Sequence, residues 1–159
     1  MLNNDVLRRL RYALNITDLR VIELFGLAGH PIKREELDGL FSKEEEAGFV
    51  PCDDATAELF FKGLVTSRRG VKDEGKAEAG KKPRGPDTHL GNNEILRYIR
   101  IALELRDDDI IAIMKLAGTV VSRAEVNALF RNREHANYRP CGDQFLRNFL
   151  QGLTSKYRV

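Results

Sequence analysis

PCDDATAELFFKGL, residues 51–64, returns 89 positions later as PCGDQFLRNFLQGL, residues 140–153. Each phrase opens on Pro-Cys, carries an Asp at its fourth position and closes on Phe, Gly and Leu. The shift of 89 positions also lays residues 3–64 on residues 92–153 without a gap. Asn3-Asn4 falls on Asn92-Asn93, Leu7-Arg8 on Leu96-Arg97, and Arg11 on Arg100. Leu27-Ala28-Gly29 falls on Leu116-Ala117-Gly118, and Leu40-Phe41 on Leu129-Phe130. More than a third of the aligned positions are identical, and most other apolar positions exchange one apolar residue for another. Gapless identity over that length is the mark of a duplication.

Each copy reads as four helices. In the first, Asn3 or Asn4 (Asn92 or Asn93) is placed to cap, an acid follows in the first turn, and Val6, Leu7, Leu10, Ala13 and Leu14 keep helical spacing. The second starts at Asp18 or Asp107 and stops at the Gly after Leu-Ala. The third is clearest where Ser122 and Glu125 form a capping box between Val121 and Val126, a hydrophobic staple. The first copy keeps the staple as Ile32 and Leu37 but has Lys33 at the cap. The fourth helix is the opening phrase itself. Strand signals are nearly absent. The expected fold is therefore all-α, two tandem four-helix repeats over residues 1–64 and 90–159. Between them, residues 65–89 hold Gly, Lys and Pro without apolar periodicity and read as a charged, flexible linker. About 60 residues make a marginal core alone, so the repeats are expected to pack about a pseudo-two-fold axis.

The chain has 159 residues, a net charge of +2 and 42% apolar residues, which fits a soluble globular protein. No apolar run approaches the roughly 18 residues that span a bilayer, so no membrane partner is expected. The start, MLNNDVLRRL, lacks the apolar stretch of a signal peptide, which points to the cytoplasm. There Cys52 and Cys141 are expected as reduced thiols.

A thiol at a helix N-terminus feels the positive end of the dipole, which favours the thiolate, whereas Asp54 and Asp143 oppose it. A small residue packed at the helix start is the preferred reading, and a thiol-based redox sensor the remote one. Cys52, Cys141, His30, His89 and His135 show no metal-ligand spacing, so no metal or other cofactor is expected. Cys141, His135 and Asp143 lie close in sequence, but Glu46 stands at the position of His135 in the first copy. No catalytic residue is assigned, and the chain is read as non-enzymatic. The second and third helices suggest a helix-turn-helix. Phe25 and Met114 occupy the position that needs a small residue, and Glu35, Glu36 and Asp38 would repel phosphate.

Charge separates the copies. Residues 1–64 hold 8 basic and 12 acidic side chains, net −4; residues 65–89 hold 7 and 4, net +3; residues 90–159 hold 11 and 8, net +3. A basic linker and second copy offer a surface for an anionic partner, with Arg68, Arg69, Lys81, Lys82, Arg84, Arg131 and Arg133 as candidate nucleic-acid contacts. The polar positions kept in both copies are the other candidate interaction residues: Arg8, Arg11, Arg97, Arg100, Cys52, Asp54, Cys141 and Asp143. The arginines lie three apart on one helix face, where internal pairing with Glu36 and Glu125 or Glu45 and Glu134 competes with partner binding.

The doubled pattern N-N-x-x-L-R-x-x-R-x-A-L, then L-A-G, then P-C-x-D and a closing F-x-x-G-L, resembles the YehS-like bacterial proteins, tandem repeats of a domain of unknown function. The resemblance covers nearly the whole chain. It implies a bacterial, cytosolic, all-helical protein and brings no activity, cofactor or catalytic residue. The expected function is a protein-binding or regulatory module with an unidentified protein partner, and the alternative is weak association with nucleic acid.

Overall fold

The computed structural model describes residues 1–69, 90–132 and 134–158. Among these there are eight α-helices and no strand. They are α1 (Asn3–Leu14), α2 (Asp18–Leu27), α3 (Arg34–Leu40), α4 (Asp54–Arg69), α5 (Asn92–Leu103), α6 (Asp107–Leu116), α7 (Arg123–Leu129) and α8 (Asp143–Tyr157). Each helix has its counterpart at the 89-residue shift, as the repeat requires. The linker reading falls, from residue 70 to residue 89, outside the described residues.

The described residues form two compact units, one of residues 1–8, 16–69 and 90, the other of residues 9–15, 91–132 and 134–158. In the first, α2 packs on α4 and α3, around Val21, Leu24, Phe25, Leu37, Phe60 and Phe61. Phe60 is its centre, with ring centroids 5.8 Å from Phe25, 6.3 Å from Phe41 and 5.8 Å from Phe61. Burying one such side chain contributes about 1.5–3 kcal/mol. In the second unit α6 packs on α8 and α7, around Ile110, Ile113, Met114, Val126, Leu146, Phe149 and Leu153. Arg158, just after α8, lies with its guanidinium 3.9 Å from the Tyr12 ring centroid and donates to the Tyr12 carbonyl.

Three details explain the repeated letters. The L-A-G stop is a full Schellman motif: Gly29 (φ 78°) donates to the Gly26 carbonyl and His30 to that of Phe25, each at 2.9 Å. Gly118 (φ 81°) and Thr119 repeat it onto Lys115 and Met114. The Gly of F-x-x-G-L allows the closest helix contact. A Cβ on Gly63 would stand 1.9 Å from the Leu24 carbonyl oxygen, and one on Gly152 would stand 2.1 Å from that of Ile113. The Ser122 capping box forms as expected, with Glu125 N–H donating to Ser122 Oγ at 3.1 Å and Ser122 N–H to Glu125 Oε1 at 3.3 Å. Lys33 makes no side-chain cap, while Ile32 and Leu37 of the staple are both buried.

The asparagines correct one expectation. Asn92 and Asn93 lie inside α5, whose N-cap is Gly91, and Asn3 and Asn4 lie inside α1. Their side chains reach away from their own helix.

Candidate functional site

The asparagines that both copies share are engaged within each copy. Asn4 Nδ2 donates to the carbonyls of Leu40 (2.9 Å) and Val50 (2.8 Å), and Asn4 Oδ1 accepts from Cys52 N–H (2.9 Å). Asn93 does the same with Leu129 (2.9 Å), Arg139 (3.0 Å) and Cys141 N–H (2.8 Å). Asn3 Nδ2 donates to the Cys52 carbonyl (3.1 Å) and to Asp54 Oδ1 (2.8 Å), and Asn92 matches it on Cys141 (3.0 Å) and Asp143 (2.8 Å). Thus N-N and P-C-x-D are two halves of one brace. It pins the chain before α4 or α8 to the start of α1 or α5, giving buried backbone groups the partners they require. Asp54 Oδ2 also accepts from Leu90 N–H at 3.0 Å.

The cysteines sit inside this brace. Both are buried, and each Sγ donates to the carbonyl of the next residue at 3.6 Å. Burial, reinforced by Asp53 and Asp54, pushes the Cys52 thiol up to about 12; burial and then Asp143 push Cys141 up to about 12. Desolvation and like charge outweigh any pull from the helix dipole.

The repeated arginines meet other groups than the spacing suggested. Arg8 pairs with Asp5 at 3.1 Å, and Arg100 pairs with Asp107 at 3.0 Å while lying 4.4 Å over the Phe130 ring. Glu125, offered as a partner for the arginines of α5, is 3.9 Å from Arg139. Arg97 donates to the Phe130 carbonyl at 3.2 Å. Arg11 is also engaged. Of the candidate nucleic-acid contacts, Arg68 is exposed near the end of α4 and Arg69 closes that helix. Lys81, Lys82, Arg84 and Arg133 lie outside the described residues.

Two candidates from different groups, Arg97 and Arg131, come together. They line a cavity of about 510 Å³ in the second unit. Its α5 wall is Asn93, Glu94 and Arg97. The opposite wall is Phe130, Arg131 and Asn132, following α7, with Tyr138 from the same connection. That connection is tied down by its own hydrogen bonds: His135 N–H to the Asn132 carbonyl (2.8 Å), Tyr138 N–H to that of His135 (3.0 Å) and Arg139 N–H to that of Ala128 (3.0 Å).

Arg131 is incompletely paired there. Its Nε–H is buried without a hydrogen-bond partner. Its Nη1 lies 3.1 Å from His135 Nε2, while His135 Nδ1 accepts from Asn137 N–H at 3.0 Å. A neutral imidazole accepts at one nitrogen only. If Nδ1 serves Asn137, Nε2 carries a proton and cannot serve Arg131.

The first copy carries other residues at three of these positions. At the positions of Arg131, Asn132 and Tyr138 stand Ser42, Lys43 and Phe49. Sequence reasoning named Arg97 and Arg131 but did not join them, and it missed Tyr138 and Asn132. The available signal was the departure of these positions from the repeat within an otherwise kept frame.

Among the described residues, no group of three or more His, Cys, Asp and Glu side chains is placed to hold a metal ion, and no helix is long and apolar enough to cross a membrane.

Comparison with known proteins agrees with the duplication. A family described as "Protein of unknown function (DUF1456)" matches residues 3–70 and again residues 92–158. The chain belongs to this family. It is 37% identical over 159 residues to "Uncharacterized protein YehS" of Escherichia coli (strain K12), covering 100% of this chain and 98% of that relative. The match spans both units, including the brace and the cavity. No solved structure matches the chain.

Proposed function

We propose that the chain is a non-enzymatic binding or regulatory module of the cytoplasm that recognises a protein partner through the cavity of its second repeat. One observation carries this reading. The paired asparagines common to both copies serve hydrogen bonds that brace each copy, whereas Arg131, Asn132 and Tyr138 belong to one copy and line its cavity. A duplicated fold needs the former in both halves; it does not need the latter. The thiols weigh against thiol chemistry, because a group pushed up to about 12 supplies almost no thiolate near neutral pH. The test is capture by the immobilised full chain, with nuclease, against the variant Arg131→Ser, Asn132→Lys, Tyr138→Phe. The same protein should be retained by the first and lost by the second. Equal retention would contradict the reading.

Association with nucleic acid is the second reading, favoured by the net +3 of residues 65–89 and of residues 90–159. Its contacts would be Arg68, Arg69, Lys81, Lys82, Arg84, Arg131 and Arg133. Affinity for a mixed-sequence duplex must then fall with salt at a slope of about −0.9 per phosphate contact. A flat salt response, or no binding at low salt, removes this reading.

A further inference from the structure

We propose that the cavity between the start of α5 and the α7–α8 connection is a receptor for a carboxylate, which enters the fork of Arg131 beside Arg97. The inference rests on the reading of this cavity as the recognising surface and names the chemical group it takes.

Charge selects the ligand's sign and magnitude. Arg97 and Arg131 bring +2 to the lining and Glu94 brings −1, so the walls sum to +1. A single negative charge neutralises that sum; a phosphate dianion over-fills it. Geometry selects the shape. The Nη1 side of Arg131 is turned toward His135, which leaves the edge formed by Nε and Nη2. Two parallel N–H groups on one guanidinium edge match the two oxygens of a planar carboxylate. An unpartnered buried donor is costly, and an acceptor that reaches it removes that cost. Arg97 is held by the Phe130 carbonyl at 3.2 Å, so its charge is fixed in the wall before a ligand arrives. Asn93 cannot contribute, because its amide already serves two carbonyls and one N–H. The volume, about 510 Å³, lies in the range of small-molecule sites and exceeds what a bare carboxylate fills, so the group is presented on a larger body.

The carboxylate can belong to a small acid or to the C-terminus of a partner chain, and the experiment separates the two. Full-length, isotope-labelled protein is titrated with benzoate and with benzamide, and with the peptide acetyl-Ala-Ala-Ala-Phe as free acid and as C-terminal amide. Amide cross-peaks of Asn132 and Tyr138 and the Nε–Hε peak of Arg131 are followed. The acids should move these peaks and the neutral forms should not. Arg131→Ser, which installs the first copy's residue, should weaken binding about tenfold or more. Arg131→Lys keeps the charge without the fork and should recover only part of the affinity. Lys115→Ala, an exposed charge removed elsewhere, serves as the control.

Stronger binding of the peptide acid assigns the site to a chain terminus, and equal or stronger binding of benzoate assigns it to a small acid. Neutral forms binding as well as the acids, full affinity in Arg131→Ser, or no shift with any probe would overturn the proposal. Loss of carboxylate binding alongside intact, Arg131-dependent protein capture would overturn the carboxylate and leave the binding-module reading standing.

Discussion

Replacing Asn4 by Ala should cost roughly twice what replacing Asn93 by Ala costs, although the two side chains make matching bonds. Asn4→Ala orphans the Leu40 and Val50 carbonyls and the Cys52 N–H, at a residue only 2% exposed. A buried orphan costs about 1–3 kcal/mol, and carbonyls retain a second lone pair, so the total is about 3–4 kcal/mol. Asn93 is half-buried, and its bond to the Arg139 carbonyl is exposed, so water replaces part of what is lost. There the expected cost is about 1–2 kcal/mol. Asn4→Asp is a sharper probe. It preserves shape but turns a donor facing two carbonyls into an oxygen, and should cost at least as much as the Ala variant. The assay is urea unfolding followed by helical circular dichroism, together with chemical shifts from each unit, since the units need not unfold in one step. Asn4→Ala within about 0.5 kcal/mol of the parent, or Asn93→Ala losing more than Asn4→Ala, would refute the reasoning.

The same assay checks the helix contact: Gly63→Ala and Gly152→Ala should each lose about 2–3 kcal/mol or more. Gly26→Ala, with nothing within 4 Å of its new methyl, should gain about 0.5–1 kcal/mol. Glu104 stands in the left-handed region at φ 54°, where the first copy has Asn15; Glu104→Asn should raise the melting temperature by an amount equivalent to about 0.5–1 kcal/mol. Alkylation of the folded thiols at pH 8 should be about a thousandfold slower than in urea, because burial holds them protonated. The folded pKa is raised, so each thiol's contribution is complete below the unfolded value of about 8.5 and fades as pH climbs toward 12. Between pH 8 and pH 10 the parent should lose about 1–2 kcal/mol per thiol more than a double Cys→Ala variant, read by unfolding at each pH.

Much of the fold was legible because its signals are local. Apolar spacing, the Ser122–Glu125 box and the Gly29 and Gly118 stops act within a few residues, and the duplication showed each element twice. The role of Asn3 and Asn4 was not legible. Asn at a helix start is equally suited to a cap or to a distant partner, and the choice depends on where residues 40 and 50–54 arrive. Gly63 read as part of a phrase, and only the approach of the Leu24 carbonyl shows why no larger residue fits. The cavity depends on bringing Arg97 to Arg131, 34 residues apart, through a connection without periodic pattern. Its one trace in the sequence was a difference between copies, whereas the repeat drew the eye to what they share.

The central claim is that shared polar residues hold the fold while the unshared ones recognise a partner. Its most direct test measures stability and binding on two variants of the full chain, Asn93→Ala and the triple exchange Arg131→Ser, Asn132→Lys, Tyr138→Phe. The account predicts that Asn93→Ala lowers unfolding stability by about 1–2 kcal/mol yet retains partner and carboxylate binding in the folded state. It predicts that the triple exchange abolishes binding while changing stability by less than about 0.5 kcal/mol. A triple exchange that unfolds the second unit, or one that binds as the parent does, would contradict it.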